Sequence, residues 1–198
     1  MNDANNRRVV SRGHTSIHIG GVYASRTPQV IRTVLGSCIA VCLRDPVTGI
    51  GGMNHFMLPT GSLEETASTR YGVHAMELLI NDCMKMGADR RRFEAKVFGG
   101  GHVLKVRETD NNVPQSNIRF ALEFLDTERI PIISRDLGGY VARELYFHTD
   151  TGRVLLRRLS RTDMTKAEVL TNLERAERAK LREQSQPEKA DDSNVTLF

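Results

Sequence analysis

Apolar positions along this chain follow two periods. Residues 17–23 and 29–35 are short, largely apolar stretches that read as strands. Residues 39–43 form a continuous apolar run, and residues 50–58 return after Asp45-Pro46-Val47-Thr48-Gly49. Pro46 presets φ and Gly49 supplies a positive one, so the two runs predict a β-hairpin. Helical spacing appears over residues 71–86, where Tyr71, Ala75, Leu78, Leu79, Cys83 and Met86 recur at three and four ahead of Gly87. It appears again over residues 117–126, with Phe120, Ala121, Phe124 and Leu125 on one side. Further strands are predicted over residues 92–98, 130–133, 140–148 and 154–159. Gly99-Gly100-Gly101, the turn Asp136-Leu137-Gly138-Gly139 and Asp150-Thr151-Gly152 punctuate them.

Strands dominate, and the two helices do not alternate with them regularly. The predicted fold class is mixed α/β of the α+β type: largely antiparallel sheets layered with two main helices. Residues 1–14 and 184–198 are polar and aperiodic and read as disordered. Residues 15–160 form the predicted body. Residues 161–183 are charged and helix-favouring, with a thin apolar stripe.

Composition narrows the setting. The 198 residues are 39% hydrophobic and 26% charged, enough for one globular domain with a real core. No apolar run approaches the ~18 residues that cross a membrane, and the first residues carry no hydrophobic signal segment. The expectation is a cytoplasmic protein without membrane insertion. Three cysteines, an odd number, argue against a disulfide framework. The net charge of +4 is mild and spread out. With no interleaving of aromatic and basic residues, no nucleic-acid partner is expected.

The hairpin carries the candidate chemistry. A fold-back centred at Pro46 and Val47 puts Cys38 directly opposite His55, where cross-strand Cβ atoms lie roughly 4.5–5.5 Å apart. A thiol beside an imidazole can lose its proton and attack an amide or ester carbonyl. Gly36-Ser37 makes a sharp entry to the strand, and backbone N–H groups near Ser37 and Cys38 can hold an oxyanion. Small residues on the return strand, Gly51 and Gly52, leave open space beside the pair. Gly99 and Gly100 are expected to line the other side of an open cleft. A third group should orient the ring, and both Thr33 and Asn54 are near enough in sequence. The plainer reading makes Cys38 a small buried hydrophobe and His55 a structural histidine. Cys42 faces the same way as Cys38, but the second cysteine pair and the paired histidines of a zinc site are missing. No metal and no cofactor are expected. Gly99-Gly100-Gly101-His102 lacks the phosphate-loop patterns and reads as a tight turn.

Five segments in order carry a family resemblance: Leu35-Gly36-Ser37-Cys38, the stretch from Gly51 to Pro59, the helix from Tyr71 to Gly87, Ala95-Lys96-Val97-Phe98-Gly99-Gly100-Gly101, and Asp136-Leu137-Gly138-Gly139 with Arg143. Together they resemble the bacterial chemoreceptor glutamine deamidases, the CheD family. The resemblance implies an amidohydrolase that converts glutamine side chains of methyl-accepting chemoreceptor cytoplasmic domains to glutamate, releasing ammonia. It implies Cys38 as nucleophile, His55 as its acid/base partner and Thr33 as the third residue. It also implies a fold similar to the catalytic domain of a deamidating bacterial toxin. Some family members bind a CheC-type phosphatase, a further candidate partner. Two rival readings stand beside this one: a cysteine peptidase-like amidase, and a non-catalytic binding partner within chemotaxis.

Overall fold

A computed structural model describes residues 14–58, 65–103 and 113–159. The predicted segments 161–183 and 184–198, and residues 1–13, lie outside the described residues.

Among the described residues, two sheets and two α-helices make three layers. One sheet has four strands in the order β1 (His14–Ser16), β3 (Val30–Leu35), β8 (Arg143–His148) and β9 (Val154–Arg158). The other has five, in the order β2 (Val22–Ser25), β5 (Gly51–Phe56), β4 (Ile39–Arg44), β6 (Glu94–Gly99) and β7 (Ile132–Leu137). Among the described residues, β1–β3 and β6–β7 pair parallel and the other pairs are antiparallel. The helices are α1 (Glu65–Lys85) and α2 (Val113–Thr127).

Side-chain alternation shows how the layers stack. Ile39, Val41 and Leu43 of β4 pack in one core with Met76, Leu79 and Ile80 of α1 and Ala121 and Leu125 of α2. Cys38, Ala40 and Cys42 pack in a second core with Met53, Ile31, Leu145 and Phe147, between the two sheets. The five-stranded sheet is therefore covered on both faces. That is why β4 reads as an unbroken apolar run and why every residue of β5 is buried.

Several elements differ from the sequence expectation. Residues 17–23 are not one strand: β1 ends at Ser16, and β2 begins at Val22 in the other sheet. The crossing uses Gly20 at φ +81 and the bond from Gly21 N–H to the His18 carbonyl. Helix α1 begins at Glu65, six residues before Tyr71, because its first turns are polar and carry no apolar signal. Helix α2 begins at Val113, with Pro114 in its first turn, where a missing N–H costs nothing. Strand β7 continues through Asp136 and Leu137 before the chain turns at Gly138.

The hairpin register also differs. Ala40, not Cys38, lies opposite His55. The cause is Asp45, whose carboxylate accepts the N–H groups of Val47 and Thr48 while Asp45 N–H donates to the Ile50 carbonyl. These bonds close a four-residue loop, 46–49, centred one residue later than Pro46 and Val47. The register slips by two, and an even slip keeps Cys38 and His55 on one face.

Asp45 anchors more than its turn. Its side chain is 0% exposed, pairs with Arg92 at 2.6 Å and accepts the Asp89 N–H at 3.0 Å. The Arg92 hydrogen bonds hold its carboxyl well below the usual range, outweighing burial. Asp45→Ala should cost about 3 kcal/mol, by stranding these donors and the Arg92 charge. Urea unfolding measures it; a loss below about 1 kcal/mol would make the pair incidental.

Candidate active site

Thr33 and His55, from different sheets, meet in the inter-sheet core that also holds Cys38. Thr33 comes from β3 of the four-stranded sheet and His55 from β5 of the five-stranded one. Cys38 stands immediately before β4, and on the ladder it falls opposite Met57, diagonal to His55. Diagonal neighbours lie roughly 7–8 Å apart, still within reach of longer side chains.

The Thr33 hydroxyl lies 2.8 Å from His55 Nδ1 and 2.9 Å from the Ile17 carbonyl. A hydroxyl has one proton to give. The Ile17 carbonyl can only accept, so it takes that proton, and Thr33 Oγ1 must accept from His55. The ring therefore carries its proton on Nδ1, and Nε2 presents a bare lone pair. Nε2 is buried and without a hydrogen-bond partner among the described residues. The backbone of His55 is held as well: its N–H donates to Gly21 at 2.9 Å, and its carbonyl accepts from Gly20 at 2.7 Å. Segment 17–21, read from sequence as plain strand, thus clamps both the ring and the backbone of His55.

Burial, reinforced by the nearby His18 imidazole, pushes the His55 ring down to about 3. At neutral pH the ring is uncharged. That excludes a standing imidazolium in this closed arrangement and leaves Nε2 free to act as a base. Cys42 and Cys83 are different: burial pushes the Cys42 thiol up strongly and the Cys83 thiol up to about 12. Both are core thiols.

The pair is not at the mouth of an open cleft, as expected from sequence. Cys38 is 0% exposed and His55 2%. Gly99 and Gly100 leave no gap beside Cys38 either. A Cβ on Gly99 would stand 2.1 Å from the Cys38 carbonyl oxygen, and Gly100 N–H donates to that oxygen at 2.8 Å. Gly101 N–H likewise donates to the Gly36 carbonyl at 2.8 Å. The glycine turn is a brace against the Gly36–Cys38 segment. It needs glycine because the two backbones touch, and the Gly100 N–H is spent on the brace, leaving no oxyanion donor there. Ser37 is buried, with its hydroxyl 4.0 Å from the Met57 sulfur.

Asn117 escaped the sequence reading. It is fully buried on α2, where its Oδ1 accepts the Leu58 N–H at 2.8 Å and its Nδ2 donates to the Ser37 carbonyl at 2.9 Å. One amide thus ties the residue before Cys38 to the chain three residues beyond His55. The available signal was an asparagine beside Ile118 on the face that carries Ala121 and Leu125. Asn54, the other candidate for orienting the ring, faces away: its Oδ1 accepts from Val41 and its Nδ2 donates to the Ala75 carbonyl.

A protein-family model described as CheD chemotactic sensory transduction matches residues 57–158. A protein of Bordetella avium (strain 197N) is 48% identical over 158 residues, covering 79% of this chain and 70% of its own length. The chain belongs to the CheD family. The family-model match begins after His55, so the three side chains described here precede it. A protein of Stenotrophomonas maltophilia (strain K279a) is 56% identical over 129 residues, and one of Xanthomonas euvesicatoria pv. vesicatoria (strain 85-10) is equally similar over the same length. All three bear the name "Probable chemoreceptor glutamine deamidase CheD". The chain spans 65% of the length of the Stenotrophomonas and Xanthomonas CheD proteins.

Thr33→Val tests the orienting bond. The substitution keeps the shape and removes both the acceptor for Nδ1–H and the donor to Ile17. Turnover should fall by up to about 10⁴-fold, by analogy with loss of the orienting residue in other triads. Thr33→Ser, which keeps the hydroxyl, should recover most of it. A Thr33→Ser variant as impaired as Thr33→Val would assign Thr33 to packing alone.

Proposed function

We propose that this chain is a protein-glutamine deamidase that converts glutamine side chains in the cytoplasmic domains of chemoreceptors to glutamate. One observation carries the proposal: His55, whose Nδ1 lies 2.8 Å from the Thr33 hydroxyl, keeps a buried Nε2 without a hydrogen-bond partner among the described residues, on the sheet face whose core holds Cys38. Membership of a family whose curated relatives carry that activity in their names supports it.

In the proposed mechanism, Cys38 Sγ attacks the side-chain amide carbon while its proton passes to His55 Nε2. The oxyanion rests on backbone N–H groups of the Ser37–Cys38 turn. His55 then gives the proton to the leaving nitrogen, and ammonia departs from a γ-glutamyl thioester. Water attacks the thioester, losing a proton to Nε2, and the proton returns to sulfur as glutamate is released. Because the resting ring is uncharged, the proton moves during attack. The preformed thiolate–imidazolium pair expected of an exposed site is replaced by general-base activation. The same steps would hydrolyse a glutamyl methyl ester.

Because both groups are buried, a glutamine must displace side chains packed against them to reach Cys38. The same burial favours a second reading, in which Cys38 is core and the protein only binds a chemotaxis partner. Ammonia release and peptide mass spectrometry on a receptor cytoplasmic fragment separate the two. Deamidated receptor glutamines support the enzyme; a bound but unmodified fragment supports the binding protein. A cut backbone or turnover of free glutamine would support a peptidase-like or small-molecule amidase. The proposed setting is the cytoplasm, in keeping with the receptor domains acted on. No described helix is long and apolar enough to cross a membrane. A CheC-type phosphatase remains a proposed further partner, tested by co-purification.

A further inference from the structure

A groove of about 490 Å³ opens behind the glycine brace, lined by Arg135 and Asp136 of β7, Arg143 of β8, Arg158 of β9, and Tyr140 and Val141 between them. It is separated from the Cys38 segment by one backbone layer. A Cβ on Gly101 would lie 3.3 Å from Arg143, 3.4 Å from the Val141 carbonyl and 3.3 Å from the Gly36 carbonyl. His102 N–H donates to the Gly139 carbonyl at 2.7 Å, which pins the Tyr140 turn to the same brace.

The charges in this groove do not balance. Asp136 pairs with Arg143 at 2.5 Å and with Arg158 at 2.5 Å, so one carboxylate serves two guanidinium groups. Arg135 is exposed and has no partner among the described residues. Three arginines and one carboxylate therefore line the groove. Beside them Tyr140 is 83% exposed and Val141 40%, with the His102 ring 6.0 Å from the tyrosine. Gly138 and Gly139, at φ +74 and +76, hold this turn outward. An exposed aromatic next to an excess of arginines has the make-up of a protein-binding hot spot.

We propose that this groove docks an acidic segment of the substrate protein, carboxylates against Arg135 and Arg158 and an apolar side chain against Tyr140 and Val141. The proposal rests on the deamidase reading and names the kind of surface that the enzyme selects. A free small anion would use the arginines alone and leave the tyrosine without a purpose. The adjacency to the brace places a docked segment one backbone layer from Gly36–Cys38.

The test uses the full chain, with a purified chemoreceptor cytoplasmic fragment as the probe. Arg135→Glu and Tyr140→Ala alter exposed side chains, so both variants should fold. Each should raise KM for the fragment about tenfold while kcat changes less than about twofold. The Arg135→Glu effect should shrink in about 1 M salt, where screening reaches roughly 3 Å; the Tyr140→Ala effect should persist. Unchanged KM in both variants overturns the proposal. So does competition by acetate or phosphate at constant ionic strength that Tyr140→Ala does not weaken, which would mark a small-anion site. Binding of the same fragment to Cys38→Ala chains, with and without Arg135→Glu, reads docking without turnover. Weakened binding by the double variant alongside an inactive parent chain would keep the docking surface and reject the deamidase reading.

Discussion

Cys38→Ala is expected to reduce ammonia release from a receptor fragment by more than about 10⁴-fold, the scale seen when a covalent nucleophile is removed. The residue is fully buried, so the fold must be checked separately. Losing one sulfur from the inter-sheet core should cost only about 1–2 kcal/mol. The hairpin bonds, the glycine brace and the Asn117 bridge all use backbone groups at this point, and alanine keeps each of them. A folded, inactive variant supports the nucleophile. A folded, active one makes Cys38 core and transfers the case to the binding reading. Cys42→Ala is the matched control: it removes a sulfur from the same face of the same sheet and should leave turnover within about twofold.

His55→Ala should be nearly as damaging, because nucleophile and base act as a unit and their losses do not add. The same variant has a second consequence with a definite sign. Unfolded, the imidazole takes up a proton near its usual pKa of about 6.5. Folded, burial holds the ring neutral down to about 3. The unfolded state therefore binds more protons between these values. The stability tied to the neutral ring is complete above about 6.5 and is lost as pH falls towards the folded value, by at most about 1.4 kcal/mol per unit. His55→Ala should flatten that part of the acid limb, read by urea unfolding between about pH 7 and about pH 4. A second group takes over at lower pH: Glu144, despite its burial, is held down to about 2 by Arg157 and Arg32. Its own contribution starts to be lost as pH falls through the ordinary glutamate value of about 4.3 and is gone below the folded one, so it leaves most of the His55 window untouched. An acid limb unchanged in His55→Ala would mean that the ring is not buried neutral.

What could be read from the chain alone divides along the range of the interactions. The hairpin and the two helices were legible because turn chemistry and apolar spacing are local. The register was displaced by two because Asp45 closes a longer loop through its side chain, which residue types alone do not announce. The face shared by Cys38 and His55 survived, since side-chain direction repeats every two residues. Thr33 came within reach through a family pattern, but its bond to His55 joins two different sheets. The Ile17 carbonyl and Asn117 were invisible for the same reason: each acts across a tertiary contact. The open cleft was misjudged because glycines suggest space. Here Gly99 and Gly100 instead permit contact between two backbones.

The site's central physical claim is a neutral His55 with its proton on Nδ1 and a bare Nε2 inside the Cys38 core. Nitrogen NMR of the labelled full chain at neutral pH observes both ring nitrogens directly. The expected spectrum shows a protonated Nδ1 whose signal depends on the Thr33 hydroxyl, and an unprotonated Nε2. A doubly protonated ring, or a proton on Nε2 instead, would contradict it.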